Sequence, residues 1–219
     1  MQAVLLSLQV GRTSTLHFNG KPVPSAFVKR RVAGAVWLAE PGLNGDEQAD
    51  LKVHGGPDKA VCVYPGEHYA YWAKRLGRAL PEAAFGENFT ARGLTEETVH
   101  IGDIFRIGEA TVEVSQPRQP CFKLAARHEE PKLALWVQET GFTGFYLRCL
   151  EAGRVRAGDV IALIQRGSYG VSVAEANRLM HRDKGDVEAL KQLLGVPALS
   201  ANWRSTFEKR LAGEAKDVR

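Results

Sequence analysis

Cysteine is scarce in this chain, and none of it is spaced for a shared task. The 219 residues hold three, Cys62, Cys121 and Cys149. The number is odd, and no two are close enough for a zinc site, an iron–sulfur cluster or a dithiol redox motif. A chain of this length buries a core without disulfide staples, so a reducing compartment is expected. No stretch of about 18 apolar residues occurs. The opening MQAVLLSLQV has neither a basic lead nor a small-residue cleavage signal. The expectation is a soluble, cytoplasmic protein with no membrane partner. Neither Gly-x-Gly-x-x-Gly nor a phosphate loop is present, which removes two common routes to nucleotide binding.

Acid is missing locally rather than globally. Lys and Arg number 29 against 25 Asp and Glu, a net charge of +4, too small to argue for nucleic acid, so no stable nucleic-acid binding is expected. No acid precedes Glu40, whereas Arg12, Lys21, Lys29, Arg30 and Arg31 do; between Glu113 and Glu129 again there is none, but Arg118, Lys123 and Arg127 are there. Each segment reads either as an anion site or as solvated surface cations.

What the chain has in quantity is short apolar runs broken by Gly, Pro and Asn. Segments 3–10, 36–38, 60–64, 99–106, 110–115, 144–150 and 160–164 are of strand length. Asn44-Gly45, Gly102-Asp103 and Gly158-Asp159 supply tight turns between them. Many short strands predict a barrel or sandwich. Two helices interrupt it, at 67–76 behind Pro65 and at 132–140 between Pro131 and Gly141, both read as crossings over barrel ends. Beyond Gly167 the period changes. Ser172 and Glu175 have capping-box spacing, Asp186 can cap 187–194, and Leu199, Trp203, Phe207 and Leu211 recur every four residues. The expected division is a β-barrel domain at 1–166 and a three-helix domain at 168–219, with Trp203 and Phe207 in the latter's core.

Chemistry concentrates in three places. Cys62 and Cys149 sit in apolar strand contexts that suit buried, inert thiols. Cys121 instead lies in Gln116-Pro-Arg-Gln-Pro-Cys121-Phe-Lys123, stiffened by two prolines, near Arg118 and Lys123 and without local acid. Such surroundings favour the thiolate that attacks or ligates. His54-Gly55-Gly56-Pro57-Asp58 offers close backbone approach, or positive φ, beside a histidine and a carboxylate; a plain glycine turn with a surface histidine fits it equally. Gly86-Glu87-Asn88 says little by itself.

In order, Gly45-Asp46, Val53 to Asp58, Gly86-Glu87-Asn88, Gly102-Asp103 and the Cys121 stretch resemble the MOSC family, and within it the bacterial YiiM-type proteins, which join a MOSC β-barrel to three C-terminal helices. The resemblance implies a barrel with crossing helices that binds the molybdenum cofactor, with Cys121 completing the metal's thiolate shell. That assignment accords with the softness of molybdenum. Lys29, Arg118 and Lys123, with Arg30 beside them, then face an anionic cofactor. Gly55, Gly56 and Asn88 match the family's pocket signatures, and Ser115 and Gln116 join them by adjacency. The implied activity is reduction of N-hydroxylated compounds, including hydroxylamino-purines and amidoximes, with His54 as proton donor by type. No flavin, nicotinamide or iron–sulfur motif is present, so a separate electron-donor protein is implied. Two other readings remain at this point: a non-catalytic cofactor or sulfur carrier using Cys121, and a Cys121/His54 hydrolase or transferase. Monomer and homodimer are both open.

Overall fold

The computed structural model describes residues 2–49 and 55–213. Thirteen strands and six helices follow one another: β1 Val4–Val10, β2 Ser14–Phe18, β3 Lys21–Ser25, β4 Arg30–Arg31, β5 Val36–Ala39, β6 Gly42–Leu43, a 3-10 turn Pro57–Lys59, β7 Val61–Pro65, α1 His68–Leu76, β8 Phe89–Arg92, β9 Ile104–Ile107, β10 Ala110–Pro117, α2 Phe122–His128, α3 Leu133–Thr140, β11 Phe145–Glu151, β12 Gly153–Val155, β13 Ile161–Gln165, α4 Val173–His181, α5 Val187–Leu194 and α6 Ala201–Leu211.

Eight of the strands form one curled sheet in the order β13-β9-β10-β11-β7-β8-β1-β4. Its far members meet: Val4 bridges to Val160, and the Leu5 amide donates to the Asp159 carbonyl at 2.9 Å. The expected barrel is therefore present, rolled up with one short side open. All pairings in this sheet are antiparallel except β7 with β8, which α1 links as a crossover. The helix stops named by the sequence are realised. Gly77 and Gly141 adopt φ of 65° and 76° after α1 and α3, a conformation that costs glycine least.

Sequence patterning missed β2, β3, β4, β6, β8, β12 and α2 and began β9 too early. A β2–β3 hairpin turns on Asn19-Gly20, both at positive φ, a hairpin signal that polar, Pro-containing strands conceal. The predicted strand 99–106 is cut to β9, because Gly102 turns at φ 87° and Asp103 accepts from the amides of His100 and Gly167 at 2.9 Å. An extra helix, α2, begins immediately after Cys121.

The first two C-terminal helices have the expected caps, and the third has one that sequence reading did not name. Ser172, Asp186 and Ser200 accept from the amides of Glu175, Ala189 and Trp203. Trp203 and Phe207 are fully buried, as expected, in one apolar cluster with Leu179, Leu193, Val112 and Val114. Backbone bonds cross from barrel to trio: Val173 to Val99 at 2.9 Å, and Ser200 to Ser115 at 3.0 Å. A second cluster, around Tyr64, Trp72, Phe85, Leu124 and Val137, fills the barrel end under α1, α2 and α3.

We propose that the chain divides between 166 and 168. Ended after Arg166, it should keep its β-rich circular dichroism yet melt several degrees lower and self-associate, since each kcal/mol lost at this size is about 2–4 °C. A second expectation concerns acid. Burial, with Arg210 and Lys184 nearby, pushes His181 down to about 4. Between pH 6.5 and 4 the unfolded chain takes a proton that the folded one refuses, so stability falls as pH drops through that window. The fall should flatten in His181→Gln, read by thermal melting at stepped pH.

Candidate functional site

A cleft of about 80 Å³ opens where the β3–β4 segment, the 46–49 loop and the 118–123 stretch converge over β7 and β11. Strand register places two of its residues. Cys62 on β7 and Tyr146 on β11 are direct partners across the ladder, so their side chains share a face. Behind β10, the Arg118 amide donates to the Gly144 carbonyl at 3.0 Å, and Cys121 is held extended at φ −136° while its carbonyl receives the Leu124 amide. Pro117 and Pro120 both precede Cys121 and fix φ on its N-terminal side. Opposite, Gly86 at φ 73° lets the Phe27 ring approach so closely that a Cβ would stand 2.7 Å from it.

Asn88 joins the walls. Its Oδ1 accepts the Cys62 amide at 3.1 Å, and its Nδ2 donates to Asp46 Oδ2 at 2.8 Å and to the Gln9 carbonyl at 3.2 Å. Asp46 Oδ1 in turn accepts Lys29 Nζ at 2.5 Å and the Gly11 amide at 2.7 Å. Both side chains of the Lys29–Asp46 pair are over nine-tenths buried.

The unspent positive charge lies elsewhere in the cleft. Arg118 is 5% exposed and its Nη1 has no hydrogen-bond partner among the described residues. Its guanidinium carbon stands 5.7 Å from the centre of the Phe27 ring. Lys123 is buried on α2. Burial pushes the Cys62 thiol up to about 11, so near neutral pH it stays protonated. Burial also raises Tyr146, a shift that the neighbouring Arg118 opposes. Just behind lies Glu87, fully buried; burial raises its carboxyl although Tyr69, Thr90 and the Phe85 amide all donate to it.

The cleft brings together Cys121, Lys29, Asn88, Arg118 and Lys123. Five other residues named from sequence stand away from its lining. Arg30 is exposed on β4, opposite Val10. Ser115 spends its hydroxyl on the carbonyls of Asp58 and Tyr146, at 2.5 and 3.2 Å. Gln116 is buried and donates to the Pro117 carbonyl at 3.0 Å. Gly56 takes φ 96° to open the 3-10 turn and borders an adjacent groove with Trp37 and Asn44. Gly55 precedes it, half-buried. His54 lies outside the described residues. Sequence reading did not name Asp46, Lys59, Cys62, Tyr146 or Phe27 as lining residues, though all five line the cleft. Cys62 was taken for an inert core thiol. It is buried, but β7 is apolar on both faces and hides which one borders the cleft. Cys149 is half-buried on β11, away from the cleft, its thiol donating to the Glu151 carbonyl at 3.4 Å.

Comparison with known proteins gives the following. The MOSC domain family model matches residues 50–162, and the model described as YiiM-like, 3-alpha helix domain matches 171–214. The protein YflK of Bacillus subtilis (strain 168) is 51% identical over 206 residues, 94% of this chain and 93% of that protein. A Gibberella moniliformis protein described as a reductase is 33% identical over 199 residues, 89% of this chain but 35% of that protein. The crystal structure of YiiM from Geobacillus stearothermophilus superposes with a TM-score of 0.83 at 40% identity, over 95% of this chain and 99% of that one.

Removing the centre of the Asp46 node tests how far the cleft depends on it. Asp46→Ala strands a buried ammonium and an amide, so it should cost about 3–5 kcal/mol in urea unfolding. Pairing it with Lys29→Met should recover a large part of that loss, because no uncompensated charge then remains.

Proposed function

The chain belongs to the MOSC domain family, and on that footing we propose that it is an oxidoreductase that binds the molybdenum cofactor and reduces N-hydroxylated compounds such as hydroxylamino-purines and amidoximes. The observation that carries the reading is the pairing, in one cleft, of a free thiol at Cys121 with the buried Arg118, whose Nη1 has no described partner. A buried guanidinium N–H left without an acceptor is costly, and a phosphate-bearing, negatively charged cofactor would supply that acceptor. The residues present therefore fit the group. The reductase name of the fungal relative supports the same class of reaction.

Cys121 would donate its soft sulfur to the metal, and Arg118 and Lys123 would receive the cofactor's anionic oxygens, Arg118 by a planar pair of N–H donors. Lys29 is committed to Asp46 and so sets the shape of the wall rather than the charge of the ligand. Asn88 fixes the Cys62 amide and holds the same wall in place. Cys62, protonated at neutral pH, is a poor metal ligand and lends the cleft a small apolar surface. When bound, the cofactor supplies two-electron, oxygen-accepting chemistry. The net change is R–NHOH + 2e⁻ + 2H⁺ → R–NH₂ + H₂O. The protons fall to Tyr146, which lines the cleft, and, by residue type alone, to His54. The electrons come from a separate donor protein.

Protein made in a molybdenum-replete host should carry molybdenum by elemental analysis and reduce an aryl hydroxylamine with an artificial electron donor. Cys121→Ser should abolish turnover and metal retention with little change in melting temperature. Cys62→Ser should keep the metal while costing about 1–3 kcal/mol, because it buries a hydroxyl without an assured partner. Full reduction by metal-loaded Cys121→Ser, or wild-type protein without metal or turnover, would overturn the reading.

A further inference from the structure

A second cavity lies on the seam between the barrel end and the three-helix domain, built from α1, the 95–97 turn, the end of α3 and the face of α4. It holds about 300 Å³ and shares no lining residue with the thiol cleft. Two polar side chains with an unsatisfied atom reach it from α4. Asn177 is 6% exposed; its Nδ2 donates to Thr143 Oγ1 at 2.8 Å, while its Oδ1 has no partner among the described residues. One turn further on, His181 Nε2 is likewise buried and without a described partner. Residues four apart stand on one helix face, so the two unsatisfied atoms address the same space. Leaving a buried acceptor unmet costs about 1–3 kcal/mol, and nothing in the fold needs these two to remain so.

The charges around them decide what fits. Every charged group in the depth of the seam is already matched. Glu96 accepts from His68 at 2.7 Å and from the Gly144 amide at 2.6 Å. Arg178 is bound by Glu175 at 2.6 Å, by Asp186 at 3.0 Å and by Asp183. Glu97 and Arg182 lie exposed at the rim. Arg210 and Lys184, the cations near His181, also have partners, Arg210 in the carbonyls of Leu179 and Met180; an anion would meet matched carboxylates inside, and a cation a matched guanidinium. His181 is held neutral at working pH, and a neutral imidazole nitrogen donates or accepts according to tautomer, whereas Asn177 Oδ1 only accepts. One wall is aromatic, the Phe142 ring lying 3.8 Å from the His68 ring at 9°.

We propose that this seam is a binding site for a small uncharged ligand of the amide or amino-heterocycle class, whose N–H donates to Asn177 Oδ1 while its neighbouring polar atom pairs with His181 Nε2. The ligand is held by one face of α4 against the barrel end, and so joins the two domains. The site is independent of the cofactor reading.

Benzamide, benzoate and benzamidine share one shape and differ in charge, so they serve as probes. Titrated into the full-length protein at pH 7.5 and followed by calorimetry and protein NMR shifts, benzamide should saturate, with shifts centred on α4. Benzoate and benzamidine should bind at least about tenfold more weakly, about 1.4 kcal/mol. His181→Leu and Asn177→Ala should each weaken benzamide by a similar factor. His181 is only half-buried, so its variant keeps the test alive if Asn177→Ala, which frees Thr143, fails to fold. Benzamide that does not saturate, that binds no better than its charged isosteres, or that binds His181→Leu undiminished would overturn the proposal; so would a crystal soak showing only water on Asn177 Oδ1.

Discussion

One side-chain amide sets the geometry of the thiol cleft. Asn88 is nine-tenths buried and uses both ends of its carboxamide at once, accepting from β7 and donating to Asp46 and to the carbonyl of Gln9 on β1. Three stretches far apart in sequence are thereby drawn to one point. The Lys29–Asp46 pair depends on that point as well, since Asp46 is oriented by Asn88 and by the Gly11 amide. A buried polar network of this kind adds little net stability unless every member is satisfied. Its main product is position: Cys62, Lys29 and the 46–49 loop each have one place to stand.

Charge in the cleft is consequently of two kinds. Lys29 is neutralised by a local carboxylate and acts as structure, whereas Arg118 is buried with an N–H left over. Counting basic residues cannot separate the two. The separation follows from burial and from which N–H groups have partners.

The fold was largely legible in the sequence because hydrophobic period and turn chemistry act locally. Strands β1, β5, β7, β10, β11 and β13 and helices α1, α3, α4 and α5 fall where apolar runs, Gly stops and Ser or Asp caps put them. The β2–β3 hairpin was hidden by Lys21, Pro22 and Pro24, which carry no apolar alternation. The site was legible only in part. Cys121 stands out by its proline-flanked, acid-free neighbourhood, and Arg118 and Lys123 come with it. Arg30 looked equivalent to Lys29, but adjacent residues on an extended chain point to opposite sides, and only one can face the cleft. Ser115 and Gln116 spend their side chains elsewhere, on the Asp58 and Tyr146 carbonyls and on the Pro117 carbonyl. Tyr146 and Cys62 lie 84 positions apart and become neighbours only through the β7–β11 pairing, which no local pattern encodes.

That pairing also orders events in time. The cleft draws on residues from Ala26 to Tyr146, so no shorter nascent fragment contains it, and local helix formation around Cys121 leaves it one-sided. Contacts of such long sequence separation close late, because loop entropy must be overcome before they form. Any ligand of the cleft therefore meets a barrel already rolled up, and enters through its mouth instead of serving as the nucleus around which the chain folds.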